Sequence, residues 1–358
     1  MVLALAKEIE MRKSEFDGTT VESIYFGGGT PSILTIIDIQ FLISSIFKNY
    51  TICKNPEITL EANPDDLFKT DFSDLSSRAK SRELLKQFKS IGINRLSIGI
   101  QSFFEDDLQM MNRAHNATEA KQCLEIATEY FDNISLDLIY GIPGMSNAKW
   151  TQNIQTALSF GINHISSYAL TVEPKTVLQK QIANKTIEAP KDEVAREHFE
   201  VLVQKLADAG FIHYELSNFG RDNYFSRNNS SYWLGKKYIG IGPSAHSFNG
   251  FSRSWNIANN SLYIKKINSN ELPSETEVLS KSDIYNEYVM TGLRTIWGVS
   301  LLKIEIDFGS DYLKYILKQS EKHLLNELLF LENQILKPTA KGKFLTDGIA
   351  SDLFKIAD

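Results

Sequence analysis

Bare glycines and polar residues follow several short apolar segments of this sequence, and their types suit the binding of a small polar ligand. The clearest example is Tyr-Phe-Gly-Gly-Gly-Thr-Pro at 25–31, where three glycines follow an apolar run. Because glycine has no Cβ, a ligand can approach this backbone closely. The segment lacks the Gly-Lys-Ser/Thr and Gly-x-Gly-x-x-Gly patterns of phosphate loops. A tight turn between a strand and a helix is therefore an equally good interpretation.

Carboxylates, an amide and a guanidinium recur near the ends of the later apolar segments. Asp137 lies inside Leu-Asp-Leu-Ile-Tyr, where a charge is unfavourable unless it is paired or functional. Glu61 lies in Leu-Glu-Ala-Asn-Pro and could be functional or structural, while Gln101 and Arg113 taken singly are more often surface residues. Carboxylates suit ribose hydroxyls and a guanidinium suits a carboxylate. The set therefore favours a nucleoside with an amino-acid tail over a hydrolase substrate.

Alternating strand and helix patterns are expected to bring these residues together. Apolar strand patterns at 21–26, 57–62, 95–100, 134–140 and 164–170 are separated by amphipathic helical patterns. This order predicts an α/β fold with a parallel sheet, either a barrel or a doubly wound sheet. Ligands in such folds gather at the carboxyl ends of the strands. The series opens with a helical pattern, so a preceding strand is expected to be missing from the edge of the sheet.

Composition and length limit the organisation and the partners. The 358 residues predict a large α/β domain over 1–250, a linker over 251–270 and a smaller module over 271–358. In the last module, helices at 284–295 and 312–331 precede short segments, which is typical of a winged helix. That module carries ten Lys and Arg against fourteen Asp and Glu, and the whole chain has a net charge of −6. Nucleic acid is therefore an unfavourable partner.

Other classes of protein and site are excluded by what the sequence lacks. No apolar run approaches the length of a membrane span. Two cysteines, Cys53 and Cys123, allow no disulfide framework and no Cys-x-x-Cys metal site, which favours a reducing cytoplasm. No nucleophilic triad and no pair of histidines at helical spacing is evident. We therefore assign no catalytic and no metal-ligating residue.

Seven segments in order resemble one protein family, and the ordered set is specific although each segment alone is weak. The segments are YFGGGTPS at 25–32, LEANP at 60–64, GINRLSIGIQSF at 92–103, NRAHNA at 112–117, DLIYGIPG at 137–144, HYELSNF at 213–219 and YIGIGPSAHSF at 238–248. They resemble the radical S-adenosylmethionine (SAM) superfamily, specifically the oxygen-independent coproporphyrinogen III oxidase-like proteins and their heme chaperone branch. The resemblance implies a partial (β/α)6 barrel, here without its first strand, and a small C-terminal winged-helix-like module.

The resemblance also implies roles for individual residues. Gly28, Gly29 and Thr30 would hold the methionyl end of SAM through backbone groups. The positions that fall where the family contacts SAM are Glu61, Gln101, Arg113, Asp137 and Ala169. The family's heme motif, His-Asn-x-x-Tyr, corresponds to 228–232, where Asn228 replaces the histidine and is a poor iron ligand. Tyr232 and His246 remain candidate heme ligands, and hydrogen bonding inside the barrel mouth is the alternative role for both.

The sequence departs from the superfamily at the iron–sulfur site. Three thiolates of a Cys-x3-Cys-x2-Cys loop hold a [4Fe–4S] cluster in such proteins, just after the first strand. This sequence has no such loop, and it opens at the helix that should follow. The missing strand and the missing cysteines together predict a shortened N-terminus, with an evolved cluster-free form as the alternative. As written, the chain would be unable to ligate the cluster or cleave SAM, so enzymatic activity is left open.

The resemblance favours a cytoplasmic heme chaperone that binds heme and passes it to an acceptor protein. SAM and the [4Fe–4S] cluster would be cofactors of the complete protein. One alternative is an enzyme that oxidatively decarboxylates coproporphyrinogen III in porphyrin biosynthesis. The other is a cluster-free module that binds SAM or a porphyrin without performing chemistry.

Overall fold

A curved sheet covered by helices forms the largest part of the computed structural model, which describes residues 1–67 and 75–356. The strands of this sheet are β1 (Thr20–Phe26), β2 (Thr51–Ala62), β3 (Arg95–Gln101), β4 (Ile134–Tyr140), β5 (His164–Ala169), β6 (Ile212–Glu215) and β7 (Asn218–Gly220). Their order is β1-β2-β3-β4-β5-β7-β6. Strands β1 to β5 are parallel, and β7 is antiparallel to both β5 and β6. The carboxyl ends of β1 to β5 therefore lie along one edge of the sheet.

Helices between the strands cover the convex side of the sheet. They are α1 (Val2–Met11), α2 (Ile36–Asn49), α3 (Pro64–Leu67), α4 (Leu75–Ser90), α5 (Glu105–Met110), α6 (Ala117–Tyr130), α7 (Asn147–Ser159), α8 (Val177–Ala183) and α9 (Asp192–Asp208), with short 3-10 turns at Lys13–Phe16 and Pro31–Ile33. Their apolar faces bury residues such as Ile39, Phe88 and Leu124, each 0% exposed. Ends are set locally: Asn116 and Glu119 form a capping box at the start of α6.

The two faces of the parallel strands differ sharply in chemistry. Side chains alternate along a strand, and residues paired in a parallel register share a face. Leu60, Leu96 and Leu136, all 0% exposed, face the covering helices within one apolar core. The opposite, concave face carries polar residues, because Glu61 is in register with Ser97, and Asp137 with Ser166. The sheet thus encloses a polar interior whose open edge is at the strand ends.

A small antiparallel sheet packs against α1, and it corrects the prediction of a linker over 251–270. The sheet follows α10 (Arg227–Trp233) in the chain. Its strands are β8 (His246–Phe248), β9 (Ser252–Asn256) and β10 (Ser274–Val278), in the order β10-β9-β8, and α11 (Asn260–Asn268) connects β9 to β10. Residues 251–270 therefore contain a strand and a helix rather than a bare connection. The physical reason is burial, since Tyr263 and Ile267 of α11 pack with Ala4 of α1 in a separate core.

The C-terminal module has the helix and strand order of a winged helix. Its elements are α12 (Lys281–Leu293), β11 (Val299–Ser300), α13 (Leu301–Phe308), α14 (Ser310–Leu325), β12 (Leu329–Glu332), β13 (Ile335–Pro338), α15 (Ala340–Lys343) and α16 (Thr346–Asp352). Its sheet has the order β11-β13-β12. The predicted helix over 312–331 is wrong at its end, because residues 329–332 pair with β13 as a strand.

The module docks onto the end of the large sheet through backbone and charged contacts. Ile296 N donates to Tyr214 O at 3.1 Å, and Leu216 N donates to Arg294 O at 3.0 Å. The Arg294 guanidinium lies 3.6 Å from the buried Glu215 carboxylate. Across residues 1–67 and 75–356, no helix combines the length and the apolar character needed to cross a membrane.

Candidate functional site

The glycine loop after β1 is held against Glu61, near the end of β2. Tyr25 Oη donates to Glu61 Oε1 at 2.7 Å, and Gly28 N donates to Glu61 Oε2 at 3.1 Å. A Cβ on Gly27 would overlap the Tyr25 ring and lie 2.7 Å from the Glu61 carboxyl carbon. The Glu61 carboxylate can therefore occupy this position only because Gly27 has no side chain.

The next residues of the loop are open to a ligand. Gly28 has a φ of +74°, which favours glycine, and Gly29 has no atom within 4 Å of the position of a Cβ. Thr30 is exposed, and its carbonyl accepts a bond from Ile33 N at 3.2 Å. The three glycines thus have different roles. Gly27 leaves space for the Glu61 carboxylate, Gly28 makes the turn, and Gly29 leaves its peptide accessible.

Asp137 lies in the middle of β4 on the concave face, where the charge of Glu61 acts on its carboxyl group. Burial and the nearby Glu61 charge raise the pKa of Asp137 to about 7, opposed by a hydrogen bond from Ser166 and by the charges of Arg95 and Arg113. Both acids also contribute to raising the pKa of Tyr25, after burial of its ring. A carboxyl that is half protonated near neutral pH and close to a second carboxylate is poised to accept ligand hydroxyl groups or to attract a cation.

The end of β3 presents Gln101, and the turn beyond α5 presents Arg113. Gln101 has a φ of +68° and folds back, so that its side-chain nitrogen would lie 2.8 Å from a Cβ on Gly99. Burial lowers the pKa of Arg113, opposed by the charges of Asp137 and Asp65. Among the described residues, Arg113 makes no side-chain hydrogen bond. Its donors are therefore available to a ligand carboxylate.

His115 fixes the segment that carries Arg113. Its Nε2 lies 3.1 Å from Ile100 O at the end of β3, and its Nδ1 lies 3.8 Å from an Asp65 carboxylate oxygen. The side chain is buried, which lowers its pKa and favours the neutral ring. We therefore see a residue that positions the site rather than one that contacts the ligand.

Ala169 completes the series as the exposed last residue of β5. It is in register with Tyr140, beyond the pair formed by Asp137 and Ser166. The structure thus places Gly28, Gly29, Glu61, Gln101, Arg113 and Ala169 near or just beyond the strand ends, and Asp137 on the adjoining concave face in the middle of β4. The roles of these residues toward a particular ligand stay predictions.

The residues that support this edge do not stand out in the sequence motifs. Tyr25 holds Glu61, and Ser166 bonds to Asp137. The single proton of the Ser166 hydroxyl can be donated either to Asp137 or to Asn218 Oδ1 at 2.9 Å, so the polar network continues into β7. A signal was available in the alternation of polar and apolar residues in β4 and β5, which marks one face of each strand as polar.

The donor set is compatible with SAM, and Cys53 and Cys123 lie in different elements of the fold. SAM has ribose hydroxyls, an ammonium, a sulfonium and a carboxylate, which match the acids, the Arg113 guanidinium and the open Gly29 peptide. A [4Fe–4S] cluster needs three thiolates from the chain. Cys53 is in β2 and Cys123 is fully buried in α6. Nor do residues 1–67 and 75–356 hold a group of three or more His, Cys, Asp or Glu side chains suited to a metal ion.

The two candidate heme ligands lie in different elements. Tyr232 is in α10, and a hydrogen bond with the Asn228 side chain acts against the burial that raises its pKa. Its ring contacts Tyr238 at a centroid distance of 4.6 Å, and Tyr238 in turn contacts Phe248 of β8. His246, two residues before Phe248, is exposed and contacts Trp255 instead. Tyr232 and His246 therefore contact different aromatic residues.

Comparisons with known proteins give the class that this sheet and its edge define. The family model described as the Radical SAM superfamily matches residues 3–157, and that of the HemN C-terminal domain matches residues 279–345. The solved coproporphyrinogen III oxidase (HemN) of Escherichia coli has a TM-score of 0.80 at 21% identity, over 98% of this chain and 82% of that one. The fold is thus a radical SAM partial barrel with a HemN-type C-terminal module.

Curated relatives place the chain more narrowly. A heme chaperone HemW of Mycobacterium tuberculosis is 30% identical over 354 residues, covering 98% of this chain and 85% of the relative. A heme chaperone HemW of Lactococcus lactis is 30% identical over 95% of this chain and 90% of the relative. That of Bacillus subtilis is 34% identical over 81% and 74%, respectively. The chain belongs to the HemW heme chaperone family.

Proposed function

We propose that this chain is a cytoplasmic heme chaperone, which binds heme and passes it to an acceptor protein. The observation that carries the proposal is similarity to HemW heme chaperones through both the barrel and the C-terminal module, over 354 aligned residues. Both cysteines are free thiols, which agrees with a reducing compartment.

The strand-end site would bind SAM in this proposal. Gly28, Gly29 and Thr30 would face its methionyl end, Arg113 its carboxylate, and Glu61 and Asp137 its hydroxyl and cationic groups. Support comes from the convergence of these groups on one edge, with Glu61 fixed by two hydrogen bonds of 2.7 and 3.1 Å. Gln101 and Ala169 would line the same space, since they end the neighbouring strands β3 and β5.

Hemin titration tests the chaperone proposal. The purified chain should shift the Soret band with a saturable stoichiometry, and it should transfer hemin to apomyoglobin, used as a reporter acceptor, faster than bovine serum albumin does. Weak binding without saturation would contradict the proposal. So would a complex that holds hemin in the presence of excess apomyoglobin.

Titration calorimetry with SAM tests the strand-end site separately. Glu61→Gln should weaken SAM binding at least tenfold. The amide has one acceptor oxygen instead of two, so it cannot accept from both Tyr25 and Gly28, and it lacks the negative charge of the carboxylate. Glu10→Gln is the matched control, since Glu10 is exposed on α1. Equal affinity of the wild type and Glu61→Gln would remove Glu61 from the site.

A module that binds SAM or a porphyrin without chemistry is the second candidate. The number and position of the cysteines favour this candidate, because Cys53 and the buried Cys123 cannot supply the three ligands of a cluster. Anaerobic iron–sulfur reconstitution distinguishes the two candidates from a radical enzyme. We expect no stable thiolate-cluster absorption from this chain, and a stoichiometric cluster would reopen coproporphyrinogen oxidation as its activity.

A further inference from the structure

A shallow open depression lies on the small antiparallel sheet, away from the strand-end site. It has a volume of about 380 Å³, within the range of small-molecule sites. Its lining includes Ser244, His246, Trp255, Ile257, Ala258 and Glu275. We call it the His246 depression. None of its lining residues belongs to β1–β7 or to the loops at their carboxyl ends.

His246 differs from the other five histidines of the chain. The others are buried or half-buried, and each lies within hydrogen-bond or ion-pair distance of a partner. His246 is exposed, and in the described part of the chain its ring nitrogens have no hydrogen-bond partner. An imidazole with free nitrogens at a concave surface is a ready ligand for a metal centre.

The backbone around this free side chain is rigidly held. Gly242 N donates to Glu8 Oε2 at 2.8 Å, and Arg12 Nη2 donates to Ser247 Oγ at 3.0 Å. Gly240 packs so closely on His246 that a Cβ there would overlap the His246 carbonyl oxygen. The imidazole is therefore presented at the fixed start of β8, which lowers the entropy lost when it binds a ligand.

Trp255 supplies a flat apolar wall beside the imidazole. Strand pairing aligns His246 with Trp255 and Trp255 with Glu275, so these three side chains share one face of the sheet. The His246 and Trp255 rings have centroids 6.2 Å apart and planes inclined by 34°. A macrocycle stacked on Trp255 would bind iron only through an imidazole that stands upright on it, because the nitrogen lone pair lies in the imidazole plane. The exposed His246 ring has no hydrogen bond to hold it among the described residues, so it can turn about its Cβ–Cγ bond to reach that orientation.

We propose that the His246 depression binds one face of an iron porphyrin, with His246 as the axial ligand and Trp255 stacked on the macrocycle. The proposal rests on the heme chaperone function proposed above. Glu275 forms the opposite wall and would repel the propionates, so the macrocycle enters by its propionate-free edge and the propionates stay in water. An open face also allows an acceptor protein to reach the other side of the iron, as transfer requires. Tyr232 is not an iron ligand of this site.

Hemin titration of His246→Ala and Tyr232→Phe tests the assignment, because both side chains are exposed and both variants should fold. We expect His246→Ala to lose the Soret shift and at least tenfold in affinity, and Tyr232→Phe to behave as the wild type. Added imidazole should restore the Soret band of His246→Ala. Trp255→Leu should weaken hemin binding several-fold and also the binding of iron-free protoporphyrin IX, whereas His246→Ala should spare the latter.

The outcomes separate this assignment from the function on which it rests. If the wild type binds hemin saturably and His246→Ala binds it equally with the same spectrum, the assignment is wrong and the chaperone function survives. If Tyr232→Phe loses the Soret shift instead, the iron ligand is in α10. If the wild type shows no saturable binding, both the assignment and the chaperone function are overturned.

Discussion

The strand-end site and the His246 depression are built in opposite ways. At the strand ends, neighbouring parallel strands each contribute one group, and the charges of Glu61, Asp137 and Arg113 act on one another. In the depression, the first residue of β8 presents one imidazole on an open sheet face, while Glu8 of α1 and the adjacent Arg12 hold the neighbouring Gly242 peptide and Ser247 hydroxyl. Converging charges suit a ligand that is retained. An open face with a single coordinating group suits a ligand that is handed on.

The supports of the two sites are also independent of each other. The strand-end groups depend on the register of the parallel sheet and on hydrogen bonds such as Tyr25 to Glu61. The depression depends on Glu8, which is 0% exposed and accepts bonds from Gly242 N, the Asn256 amide, Tyr263 Oη and Arg12. Single substitutions should therefore damage one site and spare the other.

The largest effect is expected for Glu8→Ala. Removing this buried carboxylate takes the acceptor from Gly242 N and Tyr263 Oη and one of several acceptors from Arg12 and Asn256. The free energy of unfolding should therefore fall by about 3–4 kcal/mol. Urea denaturation measures the loss, and Glu10→Ala, at an exposed position of α1, should stay within about 0.5 kcal/mol of the wild type. At urea concentrations below the unfolding midpoint of Glu8→Ala, this variant should bind hemin more weakly than the wild type and bind SAM as the wild type does. Equal weakening of both ligands would show that the sites are not independent.

Gly240→Ala should act on the depression alone. The added methyl group overlaps the His246 carbonyl, so the loop must shift, at about 1–3 kcal/mol of stability. Hemin affinity should fall at least tenfold, as measured by the Soret titration. Gly348→Ala is the control, because a Cβ there meets no atom within 4 Å. Unchanged hemin binding by Gly240→Ala would mean that the position of His246 is unimportant.

Gly27→Ala is the counterpart at the strand ends. Its methyl group would overlap Tyr25 and press on Glu61, which must then leave the Gly28 peptide. SAM affinity should fall about tenfold, equivalent to about 1.4 kcal/mol, with hemin binding unchanged. Gly29→Ala has open space around its Cβ and should fold as the wild type. If Gly27→Ala binds SAM normally in calorimetry, the seat of Glu61 is not part of the site.

The smallest effect is a pH dependence of the strand-end site. Since the pKa of Asp137 is about 7 in the folded chain, SAM affinity should rise as pH increases from 6 to 8 and then level off. A raised pKa of an acid favours folding in its protonated form. Its contribution to stability is therefore fully present below about pH 4 and lost as pH rises through 7.

Asp137→Asn is the test of that pH dependence. The amide cannot titrate, so the rise in SAM affinity and the decline in stability between pH 4 and 7 should both flatten. Calorimetry and urea denaturation across this range measure the two changes. Hemin binding should show no difference between Asp137→Asn and the wild type, whereas a persistent pH profile in the variant would assign the titration to another group.

Local patterns predicted the regular elements that are long or strongly apolar. Helix α6 and strand β4 have the predicted limits, 117–130 and 134–140, because their apolar spacing and flanking residues agree. Strands β8 and β9 were missed because they have three and five residues, with no apolar alternation that distinguishes them from a loop. The helix predicted to run to residue 331 ends at Leu325, since pairing of β12 with β13 overrides helical spacing.

By itself, the sequence determined the alternation of strand and helix, the polar residues at the strand ends and the family motifs. The tertiary structure alone decided which groups interact. Glu61 raises the pKa of Asp137, Gly27 rather than Gly29 leaves the space that Glu61 occupies, and Glu8 accepts a hydrogen bond from Gly242, 234 residues away. The physical reason is range. Hydrophobic periodicity is written into neighbouring residues, whereas burial, electrostatic coupling and hydrogen-bond partners exist only after distant segments pack together.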